Sequence, residues 1–147
     1  MTVRGRSVAA LGVLAAALAI TSSAFAHVVA ESNSTQGSRK LHQDFDLIGK
    51  AIDYHLVAHD PDGLYPYCTT VQLEKPTERG WKALPKSNKT FRRECLKTPA
   101  EGESQRDTFA AWDTFIYPSG RLFRKFKDGE LRLHGFTDLG GKLIYRR

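Results

Sequence analysis

The segment Leu41–Leu56, LHQDFDLIGKAIDYHL, decides the fold class that we predict for this chain. Its apolar residues recur at the three- and four-residue spacing of one helical face: Leu41, Phe45, Ile48, Ile52 and Leu56. Ser38 is a suitable N-cap, and Asp60-Pro61-Asp62-Gly63 ends the pattern with a strong turn signal. The spacing therefore predicts one amphipathic helix that ends near His59.

The C-terminal forty residues predict a four-stranded antiparallel meander. Strands are expected at 108–117, 122–127, 130–136 and 142–145. Asp128-Gly129 is typical of a two-residue hairpin turn of type I′. Two earlier strands are expected at 64–73 and 90–96. Together these elements predict an α+β fold, in which the N-terminal amphipathic helix packs on a mostly antiparallel sheet.

Residues 1–26 have the three parts of a cleavable signal peptide. Arg4 and Arg6 precede the apolar run Val8–Ile20, and Ala24-Phe25-Ala26 matches the A-x-A cleavage pattern. A helix of thirteen residues is about 20 Å long, which is short of the roughly 30 Å hydrocarbon core of a bilayer. We therefore expect a secreted, extracellular protein that does not span a membrane. Residues 27–40 are predicted to be a flexible lead-in, and residues 41–147 a single α+β domain.

Cys68 and Cys95 are the two cysteines of the chain, and they are predicted to form one disulfide in the oxidising secretory pathway. Closing a loop of about 28 residues would stabilise the fold by roughly 3–4 kcal/mol. Two separate cysteines without a C-x-x-C pair do not indicate a metal site, and no metal or cofactor is predicted. Asn33 and Asn88 each begin an N-x-[ST] sequon and are glycan acceptors in a eukaryotic pathway.

Charge is distributed in blocks along the chain. The net charge of +6 falls to +4 once the signal peptide and its two arginines are removed. Residues 75–97 carry +6 and residues 121–147 carry +5, whereas 27–74 and 98–120 are acidic. The two basic blocks are the main electrostatic feature and favour an anionic partner.

The predicted hairpin around Asp128-Gly129 places a group of charged and aromatic residues on one face. That face contains Phe123, Lys125, Lys127, Glu130, Arg132 and His134. It predicts a binding surface for a host protein, or for a polyanion such as nucleic acid whose bases stack on Phe123 or His134. The alternative is an ordinary solvated strand face with cross-strand charge pairs such as Lys127–Glu130.

The same face also contains candidate catalytic residues. Glu130, Arg132 and His134 alternate along one predicted strand. Their types resemble the general base, the phosphate-stabilising group and the general acid of small secreted ribonucleases. In those enzymes the three residues come from different strands, whereas here they are predicted to share one, and no sequence motif matches.

The overall profile resembles the small secreted effectors of plant-pathogenic fungi, smut-type ones in particular. The features that carry this resemblance are the Ala-rich signal, the short domain, the Cys68 and Cys95 pair, the basic surface and the lack of an enzyme motif. It implies a non-enzymatic interaction protein, a virulence effector that binds a host factor in the apoplast or inside host cells. The alternatives are a secreted ribonuclease-like enzyme or nucleic-acid-binding protein, and a bacterial envelope or periplasmic protein.

Overall fold

The computed structural model describes residues 27–64, 67–96 and 108–147, so the predicted signal peptide lies outside the described residues. The described residues form strands and one short helix, in this order: β1 (His27–Gln36), β2 (Arg39–Ile48), β3 (Ala51–His59), β4 (Cys68–Thr77), β5 (Gly80–Ala83), β6 (Phe91–Cys95), β7 (Phe109–Ile116), α1 (Gly120–Lys127), β8 (Arg132–Thr137) and β9 (Lys142–Tyr145).

The strands form two antiparallel sheets. The first sheet has the order β1-β2-β3-β7, and the second has the order β5-β4-β8-β9. Strand β6 also pairs with β4, next to the Cys68 end, while β5 pairs with the other end of β4. Adjacent strands of the first sheet follow one another along the chain until β3, whose second partner, β7, comes from much later.

The predicted α+β fold is wrong, because the protein is mainly β. The segment Leu41–Leu56 forms most of the hairpin β2–β3, and it reverses at Gly49, which has a φ of 64°. A four-residue spacing such as that from Leu41 to Phe45 keeps two side chains on one face of a helix, but it also does so in a strand, where the period is two. In the hairpin, Phe45 lies opposite Tyr54, and both side chains point into the core.

The predicted lead-in covers ordered strands in this structure. His27–Gln36 is β1, an edge strand of the first sheet, and Arg39 begins β2 after a turn at Gly37. Residues 27–40 therefore belong to the same folded unit as the rest of the first sheet.

The predicted C-terminal meander forms only in part. Residues 122–127 belong to α1, and the side chain of Ser119 caps this helix by accepting a hydrogen bond from the Leu122 amide. Asp128-Gly129 ends the helix and does not turn a hairpin, since the Asp128 amide donates to the Arg124 carbonyl and Gly129 has a φ of 76°. Helical geometry buries Phe126, which is 1% exposed, and leaves the basic residues of the segment at the surface.

The main core lies between the two sheets. Its buried side chains come from both sheets, from α1 and from the residue before β8; they are Phe126, Leu131, Phe45, Ile52, Tyr54, Ile116, Val71, Leu73, Leu133 and Leu143. Gly135 of β8 lies directly against the Tyr54 ring, so a side chain at this position would collide with the opposite sheet. The sheets can approach each other at this point because residue 135 lacks a Cβ atom.

The predicted disulfide is confirmed. Cys68 and Cys95 are directly paired across β4 and β6, with their Cα atoms 3.9 Å apart and their sulfur atoms bonded. The bridge ties the short strand β6 to the end of β4 at the edge of the second sheet.

Replacing Gly135 by alanine is expected to lower the free energy of unfolding by about 1–3 kcal/mol, because the core is already filled at this point. The added Cβ would lie 2.6 Å from two atoms of the Tyr54 ring. Urea denaturation measures the change. Gly120→Ala is the control, since nothing lies within 4 Å of a Cβ there, and equal stability of the two variants would contradict the packing described.

Candidate functional site

The structure divides the predicted binding face between two elements. Phe123, Lys125 and Lys127 lie on α1, whereas Arg132 and His134 lie on β8. The expected cross-strand pair of Lys127 with Glu130 does not form. Instead, the Glu130 carboxylate pairs with Lys125 Nζ at 3.0 Å. The six residues are therefore not one hairpin face, because residues 122–127 are helical.

The carboxylate beside Arg132 and His134 belongs to Glu74 and not, as predicted, to Glu130. Glu74 lies opposite Arg132 in the register of β4 and β8 and is only 5% exposed. Arg132 Nε donates to its Oε2 at 2.6 Å, and His134 Nδ1 lies 2.9 Å from its Oε1. Gln72 donates a further hydrogen bond of 2.7 Å to Oε1. Both oxygens of the buried carboxylate are thus satisfied.

These partners keep Glu74 ionised. Burial alone would raise the pKa of Glu74, but the hydrogen bonds from His134, Arg132 and Gln72 outweigh it and hold that pKa below its ordinary value. The His134 ring is anchored through Nδ1, and its Nε2 has no hydrogen-bond partner among the described residues. The cluster is therefore a charge-paired network with one imidazole nitrogen left free.

Sequence reasoning missed Glu74 because no local pattern connects it with Arg132. The two residues are 58 positions apart and meet only through the pairing of β4 with β8. The segments 64–73 and 130–136 were both predicted as strands, but they were not predicted to pair with each other, and Glu74 falls just beyond the first range.

Trp81 links this network to the end of the chain. The guanidinium carbons of Arg132 and Arg146 lie 4.6 Å and 5.1 Å from the centre of its ring. Arg146 Nε also donates to the Gly129 carbonyl at 2.9 Å, just after α1. Arg146 is thus held beside the end of the helix.

The bases of α1 and of the chain end form one surface, which we call the cationic helix surface. It consists of Arg121, Arg124, Lys125, Lys127, Arg146 and Arg147. Arg121, Arg124 and Lys127 are exposed and have no ion-pair partner in the described part of the chain. The acidic residues that follow the helix are Asp128 and Glu130, so positive charge predominates here.

A cavity of about 860 Å³ opens beside this surface, between α1, the end of β4 and the C-terminal segment. Its apolar lining comes from Pro76, Leu84, Leu122 and Leu131. Four bases line it as well, namely Lys75, Arg121, Lys125 and Arg146, against the two acids Asp128 and Glu130. The cavity therefore combines an apolar lining with a net positive charge.

The outer face of the first sheet carries a cluster of acidic residues. Asp46 lies directly opposite Asp53, and Asp44 lies opposite His55. His55 Nδ1 is 3.1 Å from Asp44 Oδ2, and His55 faces Asp113 on its other side. Like charges directly opposite one another destabilise a sheet. The sheet is therefore more stable when some of these carboxylates are protonated or paired with a base.

Two of these carboxyl groups, Asp53 and Asp46, have raised pKa values and so keep a proton more readily than an ordinary aspartate. Burial raises the pKa of Asp53 to about 7, and the charge of Asp113 and a hydrogen bond with it act in the same direction. Burial also raises the pKa of Asp46, with a further contribution from Asp44. Within the described residues, no group of three or more His, Cys, Asp or Glu side chains is arranged to hold a metal ion. The raised pKa values of Asp53 and Asp46 lead us to interpret the cluster as a site of proton uptake.

The two sequons lie in different settings. Asn33 is in the edge strand β1, and its Oδ1 is 2.8 Å from His42 Nδ1. Asn88 is exposed in the turn before β6, where Thr90 is buried and hydrogen-bonded to the Pro85 carbonyl. Glycosylation at either asparagine stays a prediction.

Comparison of the chain with protein-family models, with curated proteins and with solved structures finds no match. Among the residues that the structure describes, no helix is long and apolar enough to cross a membrane. The function must therefore be inferred from the surfaces of this molecule.

Replacing Asp53 by asparagine is expected to raise the melting temperature at pH 8 by about 3–6 °C, the shift that roughly 1 kcal/mol produces in a domain of this size. The folded protein holds a proton on Asp53 up to about pH 7, whereas the unfolded chain releases it near pH 4. The stabilisation from this proton is complete at acid pH and is lost as the pH rises through about 7.

Thermal unfolding at pH 4, 6 and 8 measures this effect. The gain is expected at pH 8 and should largely vanish at pH 4, where the Asp53 carboxyl is protonated in the folded protein and also takes up protons in the unfolded chain. The exposed residue Asp62 supplies the control, Asp62→Asn. A gain of the same size at every pH would show that proton uptake by Asp53 is not the cause.

Glu74→Ala is expected to lower the free energy of unfolding by about 3–5 kcal/mol, because it leaves the partly buried cation Arg132 without its partner. Glu130→Ala removes an exposed ion pair and is expected to cost less than about 1 kcal/mol. Guanidinium chloride denaturation of both variants makes the comparison. A larger loss for Glu130→Ala would mean that Glu74 is not the centre of the network.

Proposed function

We propose that this protein is a secreted, non-enzymatic interaction protein that binds an acidic surface of a host protein through the cationic helix surface. This role is the one implied by the resemblance to smut-type effectors. The contact surface moves from the predicted hairpin to α1 and the chain end. The observation that supports it most is the gathering of six bases around one short helix, with three exposed bases of α1 lacking an ion-pair partner in the described ranges.

The geometry of α1 suits contact with a partner. Ser119 and the turn at Asp128-Gly129 cap the helix, while Phe126 anchors it in the core and packs edge-on against Tyr145. The bases are thus presented on a fixed support. Positive charge on such a surface speeds encounter with an acidic partner and makes the association sensitive to salt.

The aromatic rings near this surface favour a protein partner over nucleic acid. Single-stranded nucleic acids are usually held by bases stacked on free aromatic rings. Here two guanidinium groups lie over Trp81, and Phe123 is half-buried against Phe126 with Lys127 near its ring. The ring positions that would stack bases are occupied by side chains of the protein itself.

A ribonuclease-like enzyme is the second candidate, and one observation favours it. Glu74, Arg132 and His134 come from two strands and lie within hydrogen-bond distance around one carboxylate. Cleavage of RNA requires one group that accepts a proton and another that donates one. Glu74 is buried, ionised and fully engaged, so His134 Nε2 is the one proton-transferring atom of the cluster that has no hydrogen-bond partner among the described residues. This arrangement fits a structural network better than an active site.

The test uses protein purified from the culture medium of expressing eukaryotic cells. The variant Arg124→Glu/Lys127→Glu is expected to lose its host protein partners and to bind the purified partner at least about tenfold more weakly, which corresponds to about 1.4 kcal/mol. The control Lys50→Glu/Lys89→Glu makes the same charge change at exposed positions outside α1 and should bind normally. Arg132 is left intact because its charge neutralises Glu74.

Capture from nuclease-treated host extract, followed by titration of the purified partner, measures both effects. Equal binding by the helix variant and the control would remove α1 from the contact surface. RNA cleavage by the wild-type protein that disappears in His134→Ala would instead support the ribonuclease-like candidate.

A further inference from the structure

We propose that the cavity beside α1 is a binding site for a small amphipathic anion, a molecule with an apolar ring system or chain and one sulfonate, carboxylate or phosphate group. This ligand is distinct from the host protein of the proposed function. Lys75 and Leu84 line the cavity without belonging to the cationic helix surface, whereas Arg124 and Lys127 belong to that surface without lining the cavity. The two sites can therefore be tested separately.

The size of the cavity fits a small molecule. Its volume of about 860 Å³ lies within the range of roughly 300–1,000 Å³ that is usual for small-molecule sites. Its walls come from distant parts of the chain, with Lys75 on β4, Leu84 just after β5 and Leu122 on α1. Leu84 and Leu122 pack against the main core, so the folded elements fix the shape of the cavity.

The apolar lining requires a ligand with an apolar body. Leu131 is only 4% exposed, and Leu84 and Leu122 are partly buried against the core below it. Burial of apolar ligand surface against these side chains stabilises the bound ligand. A purely hydrophilic anion would leave this part of the lining uncovered.

The charged lining requires an anionic head group. Lys125 is paired with Glu130, and Arg146 Nε already donates to the Gly129 carbonyl. Lys75 and Arg121 are exposed and have no ion-pair partner among the residues described. An arginine and a lysine can together hold one sulfonate, carboxylate or phosphate, with the guanidinium offering two parallel donors. A neutral apolar ligand would leave both cations without a partner.

Two dyes that differ in their charged group test this inference. The anionic probe is 1-anilinonaphthalene-8-sulfonate, and the neutral probe is N-phenyl-1-naphthylamine, which has the same ring system without the sulfonate. Calorimetry and dye fluorescence should show one molecule of the anionic probe bound per chain, at least about tenfold more tightly than the neutral one. Equal affinity for the two dyes, or no saturable binding of the anionic dye, would overturn the proposal.

Variants locate the bound dye. Lys75→Ala/Arg121→Ala is expected to weaken binding of the anionic dye about tenfold or more while leaving binding of the neutral dye unchanged. Leu84→Trp replaces leucine with a larger side chain that fills part of the cavity, and it should weaken binding of both dyes. Circular dichroism and thermal unfolding confirm that each variant is folded, and the charge variant changes exposed residues alone.

Arg124→Glu/Lys127→Glu is the matched control, because it changes two bases of the same helix outside the cavity. It should bind the anionic dye within about twofold of the wild type while losing the host protein partner. Loss of the dye in this control would show that the dye binds the cationic helix surface and not the cavity. Its retention in Lys75→Ala/Arg121→Ala would show that these two cations do not hold the anionic group, and either result would overturn the proposal.

Discussion

The apolar contact between the inner faces of the two sheets is the interaction on which the rest of the structure depends. Tyr54 of the first sheet reaches across to Gly135 of the second, and the absence of a Cβ atom at residue 135 sets how closely the sheets approach. The same interface accepts Phe126, which fixes α1 at the surface of the fold. The core thus fixes the position of every surface to which we assign a role. The charged residues of these surfaces lie outside that core.

Buried carboxyl groups on the outer faces of the two sheets are stabilised in different ways. Around Glu74, a buried carboxylate meets three donors, and the network holds its charge. Around Asp53, carboxylates meet one another, and the network must take up protons. Both clusters come from the same sheet rule, which brings residues directly opposite on neighbouring strands within reach. The identity of the opposing residue, a base for Glu74 and an acid for Asp53, decides whether folding favours the ionised or the protonated form.

Local sequence patterns predicted some features well and others badly, for physical reasons that particular residues make clear. The disulfide was predictable because two cysteines allow a single intrachain pairing. Strands β4, β7, β8 and β9 were predicted from their β-branched and aromatic content, and the short strand β6 was predicted at 90–96. The hairpin β2–β3 was mistaken for a helix because the spacing from Leu41 to Phe45, and from Ile52 to Leu56, is even and satisfies both periods. The turn at Gly49 was the one local signal that distinguished a hairpin from a helix in this segment.

The position of the cationic helix surface relative to the acidic cluster has a kinetic consequence. Asp44, Asp46, Asp53 and Asp113 are gathered on the first sheet, where Asp53 adds its charge only above about pH 7, whereas the bases of α1 and the chain end lie together beside the second. This separation gives the molecule an electric dipole that turns it in the field of a charged body before contact. An acidic partner would then meet α1 first in most encounters, and the fraction of productive collisions would fall as added salt shortens the screening length. The orientation of approach is therefore a property of the folded charge distribution and not of the binding site alone.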